Sequence, residues 1–386
     1  MSARQTAPAL AAELSKLIRL CRHRARESNS QEEEEVSPEA DLKTRLENLN
    51  RVESTVLPAI SGLVTELLEV LDLPAKDSVS PQPKLGEALE IVPRFTSLVE
   101  DLARSVLPPD YSNPEICRLI DQNYRQLHQF KSHYLKKTVT EFMKDDFPSL
   151  FVEISSFVSH GQYYDYKFKP LDRSNAPQHA GAAGRVQIMI SRILNIIRGS
   201  NFDIIQSIWT HCQFMLGHYM SYIQVCINFT NSLDPARTEP DYAPHIPAVL
   251  ELLDQTMVLL KMCRLFSRKI GSTRLFKFAE GMSSAELESF TAVSEKFENH
   301  VFGLIGYMHS VADGEEKLSW DLKPDVERII HDVNFSLDFI RSHMVPSYPP
   351  QTVDEVMDQL FGTFSENFFP YFDRHVARLT QFQAVG

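Results

Sequence analysis

Residues 199–231 read GSNFDIIQSIWTHCQFMLGHYMSYIQVCINFTN, and this stretch decides the fold. Gly199 and Ser200 break the pattern ahead of it, and Asp234-Pro235 ends it. Between them Phe202, Ile205, Trp209, Cys212, Leu216, Met220, Ile223 and Ile227 recur at three- and four-residue steps, the period of one helical face. A second set, Ile208, Met215, Tyr219, Tyr222 and Phe229, covers the flanks. A helix apolar over so much of its circumference has to be enclosed by other helices. The spacing predicts a central buried helix over 201–231 in an all-α protein. Ser200 is the expected N-cap, and Asp203 sits in the first turn, where a carboxylate meets unpaired amides and the positive end of the dipole.

Further helical faces lie on both sides. Downstream, a helix from about 246 to 270 presents Val249, Leu253, Met257, Leu260 and Cys263, with Gly271 as its expected cap. Ser283 and Glu286 have capping-box spacing and open a helix to about 312 through Leu287, Phe290, Phe297, Val301, Leu304, Met308 and Val311. Residues 323–344 repeat Val326, Ile330, Val333, Leu337, Ile340 and Met344, and 352–380 repeat Val356, Leu360, Phe364, Phe368, Phe372 and Val376 around Pro370. Such alternating steps suit helices packed at shallow, coiled-coil-like angles. Upstream, helices are expected at 9–26, 39–72 with a break near Pro58, 85–106, and from Asn113-Pro114 through Phe130 to an interruption at Pro148. A short helix follows it to Val158, then one at 185–198. Residues 160–184 form the longest non-periodic stretch, aromatic through Tyr163, Tyr164, Tyr166 and Phe168. The expected architecture is about ten or eleven helices in antiparallel bundles. The divisions are an N-terminal helix and acidic linker over 1–38, a bundle over 39–184, and a second bundle over 185–386 built on the central helix.

Composition narrows the function. The 386-residue chain carries a net charge of −12, which argues against binding a phosphate backbone. Its five cysteines, Cys21, Cys117, Cys212, Cys226 and Cys263, are odd in number, lack a CxxC pair and mostly fall inside helical patterns, as expected of reduced thiols. No signal peptide or membrane-spanning run is evident, so a cytoplasmic location is expected. Residues 9–26, with a basic end at Arg19, Arg22, Arg24 and Arg26, are the one candidate for a targeting or membrane-surface helix. The acidic run Glu32 to Glu35 follows at once, so a frayed helix is the plainer expectation.

Motifs that carry chemistry are missing. No HExxH, GxGxxG, GxxxxGK[ST] or GxSxG occurs, and Gly181-Ala-Ala-Gly184 is too poor to cradle phosphate. His211 and His218 stand two helical turns apart, roughly 10 Å along the axis, which is too far to share one metal easily. His300, His309, His331 and His343 lie on two helices expected to be neighbours, without acidic residues at ligand spacing. Cys212 follows His211 directly and points elsewhere, so the pair makes no nucleophile and base. No catalytic, cofactor-binding or metal-ligating residue is assigned.

Several short pieces share an order and spacing with a known set. They are Glu53-Ser-Thr-Val-Leu57-Pro58 with Leu71-Asp72-Leu73-Pro74, then Gly199-Ser200-Asn-Phe202-Asp203-Ile-Ile-Gln206 with Trp209. Cys263-Arg-Leu265-Phe266-Ser-Arg-Lys269-Ile270 and Met282-Ser283-Ser284-Ala-Glu286 complete the series. In combination they resemble a family of uncharacterised all-helical proteins of rust fungi, over roughly residues 40 to 345. Relatives in that set often end in an acidic tail, whereas this chain ends Gln-Ala-Val-Gly386. The resemblance implies a helical fold and a fungal source, and brings no known activity.

The expected function is that of a non-enzymatic protein-binding or scaffold module whose partner is a protein. The alternative is a small-molecule-binding protein or enzyme with an apolar pocket near Trp209, His211 and His218. A cavity there would favour the second, and a filled core with an exposed apolar surface the first.

Overall fold

The computed structural model describes residues 3–27, 38–73, 83–107, 128–160, 181–234, 243–279, 281–313 and 323–385. Residues 113–127 of the helix expected from Asn113-Pro114 through Phe130 and most of the aromatic stretch 160–184 lie outside them, as does Cys117. The described residues form an all-α protein of ten helical rods, carrying one two-stranded sheet. The chain divides into two compact units, residues 1–200 and 201–386. That division falls after the 184/185 boundary expected from sequence, and the helix over 182–198 belongs to the first unit.

The first unit contains α1 (Ala3–Glu27), α2 (Pro38–Arg51), α3 (Leu57–Val70), α4 (Leu85–Val106), α5 (Gln129–Glu141), α6 (Phe147–His160) and α7 (Ala182–Arg198). α1 is no frayed appendage. Leu10, Leu14, Leu17, Cys21 and Ala25 are fully or almost fully buried, and the helix packs on α4 and α6. The five residues share one face because they recur at three- and four-residue steps. The apolar stripe that makes 9–26 a membrane-surface candidate is therefore covered by protein. At the heart of the unit Phe95, Phe142, Phe147 and Phe151 meet with ring centroids 4.8–5.7 Å apart.

Pro58 and Pro148 do not break their helices. Each follows a single wide turn of π-helix, Val52–Val56 and Phe142–Asp146, that joins α2 to α3 and α5 to α6 as continuous rods. The amides of Leu57 and Phe147 reach back five residues, to the carbonyls of Val52 and Phe142. A proline ring crowds the carbonyl four residues before it, and widening the turn just ahead makes the room. The end of α7 is closed from outside its own sequence: the buried Lys131 donates from Nζ to the carbonyl oxygens of Ile197 (2.8 Å) and Gly199 (2.9 Å). A cation at a helix C-terminus also complements the dipole.

The second unit contains α8 (Asn201–Ser232), α9 (Ile246–Ser272), α10 (Ser284–Ala312), α11 (Lys323–His343), α12 (Val353–Met357) and α13 (Thr363–Val385). A π-turn over Asp358–Gly362 links the last two. α9 lies antiparallel to α8, and α13 antiparallel to α9. α10, by contrast, runs parallel to α8, since Trp209 meets Phe290 and Phe297 whereas Tyr222 meets His309. The strands β1 (Phe276–Phe278) and β2 (Met344–Pro346) pair antiparallel, Lys277 opposite Val345. Three residues each are too few for a period to show, but Phe276 and Phe278 are buried against Phe202 while Lys277 is exposed. The capping box at Ser283 and Glu286 is present, and a second, at Thr352 and Glu355, opens α12.

α8 is buried on one side rather than all round. Ile204, Ile205, Trp209, Cys212, Leu216, Tyr219, Ile223, Cys226, Ile227 and Thr230 form its inner face. Asp203 stands in the first turn as expected. The outer face alone departs from the enclosed rod read from composition. Gly271 is not a cap. It lies in the last turn of α9, where α9 crosses α8 so closely that a Cβ would meet Thr210 N at 2.9 Å and Gln206 O at 3.2 Å. Gln206 Nε2 closes the same helix end by donating to Thr273 O at 2.7 Å.

Candidate protein-interaction face

Trp209 is completely buried and ringed by Phe266, Phe290 and Phe297 at 5.6–6.1 Å. Aromatic side chains occupy the space beside its indole. His211 is exposed and His218 half-exposed, with the Phe214 ring between them, 6.5 Å from His211 and 4.7 Å from His218. Two residues along a helix turn about 200°, so Trp209 and His211 point to opposite sides. The structure does not bring Trp209, His211 and His218 to one pocket.

The buried thiols are poor nucleophiles. Burial pushes Cys21 and Cys212 up to about 12 and raises Cys263 further still. Cys212 Sγ also accepts a hydrogen bond from Ser267 Oγ at 3.6 Å. Of the four histidines singled out on α10 and α11, His300 finds an acidic partner that no local spacing supplies: Nδ1 lies 2.8 Å from Asp332 Oδ2. His331 reaches the other oxygen of Asp332 at 4.0 Å, His309 pairs with Asp313 at 3.3 Å, and His343 stacks on Phe339. Burial raises the Asp332 carboxyl, and the nearby His300 opposes that shift. The pair ties α10 to α11. Among the described residues, no three His, Cys, Asp or Glu side chains gather as a metal site.

What stands out is the outer face of α8. No Asp, Glu, Lys or Arg occurs between Asp203 and Asp234, a gap that follows α8 for nearly its whole length in a chain with 23% charged residues. The inner face needs no charge because it is core. The outer face has none either. It shows Tyr222 at 40% exposure, Val225 at 62% and Phe229 at 47%, at the three- and four-residue steps that align them. The adjoining stretch of α10, Asn299 to Ala312, also lacks Asp, Glu, Lys and Arg. Phe302 stands 60% exposed on it, its ring 5.9 Å from Tyr219, and His309 stacks edge-on against Tyr222 at 5.5 Å. Gly306, on the same exposed side, has nothing within 4 Å of where a Cβ would sit, so another backbone has room to approach there. Acidic groups frame the patch. Glu298, hydrogen-bonded to Tyr219 and raised by burial, marks one end, and Asp313 the other.

Two family models match the chain. One described as Domain of unknown function (DUF8723) covers residues 45–200, and one described as Domain of unknown function (DUF8721) covers residues 200–374. They meet at the junction that separates the two compact units. α1 lies before the first match although it is part of that unit's core. No curated protein matches the chain. No helix among the described residues is long and apolar enough to cross a membrane.

Proposed function

We propose that the protein is a non-enzymatic protein-binding or scaffold module of the cytoplasm, and that its docking surface is the outer face of α8 with the adjoining turns of α10. The single observation that carries this is the exposed, charge-free aromatic patch of Tyr222, Val225, Phe229 and Phe302 on a molecule of net charge −12. Interface cores are depleted in charge and enriched in Tyr and Phe, with polar groups at the rim, and Glu298 and Asp313 stand where such a rim belongs. The buried, unreactive thiols suit a reducing compartment, and the motif resemblance to rust-fungal proteins supports a fungal source.

The test uses the full chain and the double variant Phe229→Glu/Phe302→Glu as paired baits. Both positions are exposed, so the variant is expected to keep the wild-type far-ultraviolet spectrum. Proteins retained by the wild type and lost by the variant are the expected result. Identical retention by two folded baits, the chain itself counted among the retained proteins, would refute the assignment.

A further inference from the structure

Given that this face is a docking surface, which is the reading proposed above, its occupant has to match it in charge and shape. We propose that the occupant is a second copy of the same chain, α8 against α8 about a two-fold axis, with Phe302 and Gly306 of α10 completing each half.

The first reason is charge. A peptide or protein partner that used ionic contacts would find none to make between Asp203 and Asp234 or between Asn299 and Ala312. The complementary surface has to be as free of charge as this one, and a two-fold contact places the patch against itself, where it meets that requirement. Elsewhere, two copies each carrying −12 would bring like charges together. The second reason is shape. Tyr222, Val225 and Phe229 align along α8, and on α10 the side-chain-free Gly306 leaves open space between Phe302 and His309. A row of projecting side chains beside such a gap can be self-complementary when the two copies are related by a two-fold axis. Area sets the strength. The uncharged stretch of α10 from Asn299 to Ala312 and the turns of α8 beside it span roughly 20 Å, and with the two helices roughly 10 Å apart the footprint is on the order of 400 Å² per copy. A total of roughly 800 Å² falls below the size of stable interfaces, among weak and transient ones. A reversible dimer that dissociates on dilution is therefore expected.

Sedimentation equilibrium of the full chain over a concentration series, at low and at high salt, tests this. The expected result is a monomer–dimer equilibrium that tightens as salt rises, because screening removes the repulsion between two acidic bodies while the contact contains no ion pair to weaken. Phe229→Glu/Phe302→Glu, and independently Val225→Glu, are expected to shift the midpoint at least tenfold toward monomer with unchanged secondary structure. A chain that stays monomeric at every concentration overturns the proposal, whether a different protein or another part of this chain covers the face. A dimer indifferent to both variants also overturns it, as its interface lies elsewhere. If the chain is monomeric and the wild-type bait still retains a different protein that the variant loses, the docking role survives and self-association alone has failed.

Discussion

Gly271→Ala tests the packing of the second unit at its tightest point. An added methyl would stand 2.7 Å from Thr210 Oγ1, 2.9 Å from Thr210 N and 3.2 Å from Gln206 O. The hydroxyl can turn away, giving up its bonds to Gln206 O at 2.8 Å and Gly271 O at 3.2 Å. The backbone atoms cannot, so α8 and α9 must separate where Gln206 also closes the end of α9. Overpacking of this kind costs about 1–3 kcal/mol. Alanine recovers up to about 1 kcal/mol as the better helix former, which leaves a net loss of about 0–2 kcal/mol. Two glycines serve as controls. At Gly217 the methyl would meet the Arg264 guanidinium at 3.8 Å, an ordinary contact, and at Gly306 it would meet nothing within 4 Å. Gly217→Ala and Gly306→Ala should be neutral or stabilising by up to about 1 kcal/mol. Urea unfolding followed by circular dichroism reads all three. A Gly271→Ala protein as stable as the Gly306→Ala protein would refute a backbone-to-backbone crossing.

Burial of His375 between α13 and α9, with Thr256 Oγ1 at 3.5 Å and Gln255 Oε1 at 3.4 Å, pushes its pKa from 6.5 down to about 4. The unfolded chain then binds the extra proton first, so stability falls as pH drops from 6.5 to about 4, by at most roughly 3 kcal/mol at about 1.4 kcal/mol per pH unit; His375→Gln should flatten that part of the profile, and an unchanged slope would contradict it. Native protein at mildly alkaline pH should leave Cys21, Cys212 and Cys263 unmodified by iodoacetamide while unfolded protein reacts, as read by peptide mass spectrometry; native labelling at the unfolded rate would show these thiols are not buried. Ser283→Ala removes an N-cap whose hydroxyl accepts from Glu286 N and should cost about 1 kcal/mol in urea unfolding, and a loss near zero would mean the box contributes little to α10.

The all-helical class and most helix positions are legible because an apolar residue every three or four positions is a one-dimensional signal. The features that escape such a signal depend on neighbours. Leu10, Leu14, Leu17 and Cys21 announce a helix, but nothing local says that α4 and α6 cover it. Pro58 and Pro148 signal a break, and the remedy, a turn widened by one residue just ahead, has no residue signature. Asp332 lies 32 positions from His300, a separation at which spacing rules for metal or ion pairs do not operate. Gly271 followed by a non-helical segment looks like a cap, and only the approach of α8 gives it another role.

The outer face of α8 shows the same limit in a more useful form. Met215, Tyr222 and Phe229 read as the enclosed flanks of a core helix because they are apolar and in phase. Apolarity reports that a side chain gains by leaving water, and an interface between chains satisfies that gain as well as a core does. The inner residues Trp209, Leu216 and Ile223 are covered by the second unit's own helices, while Tyr222, Val225 and Phe229 are not. On the docking role proposed above, one pattern encodes two surfaces, the core of one chain and a contact of that chain with something else. The charge-free run from Ile204 to Leu233 is the single sequence feature common to both, and for the same physical reason: an ionised side chain is costly wherever water is finally excluded.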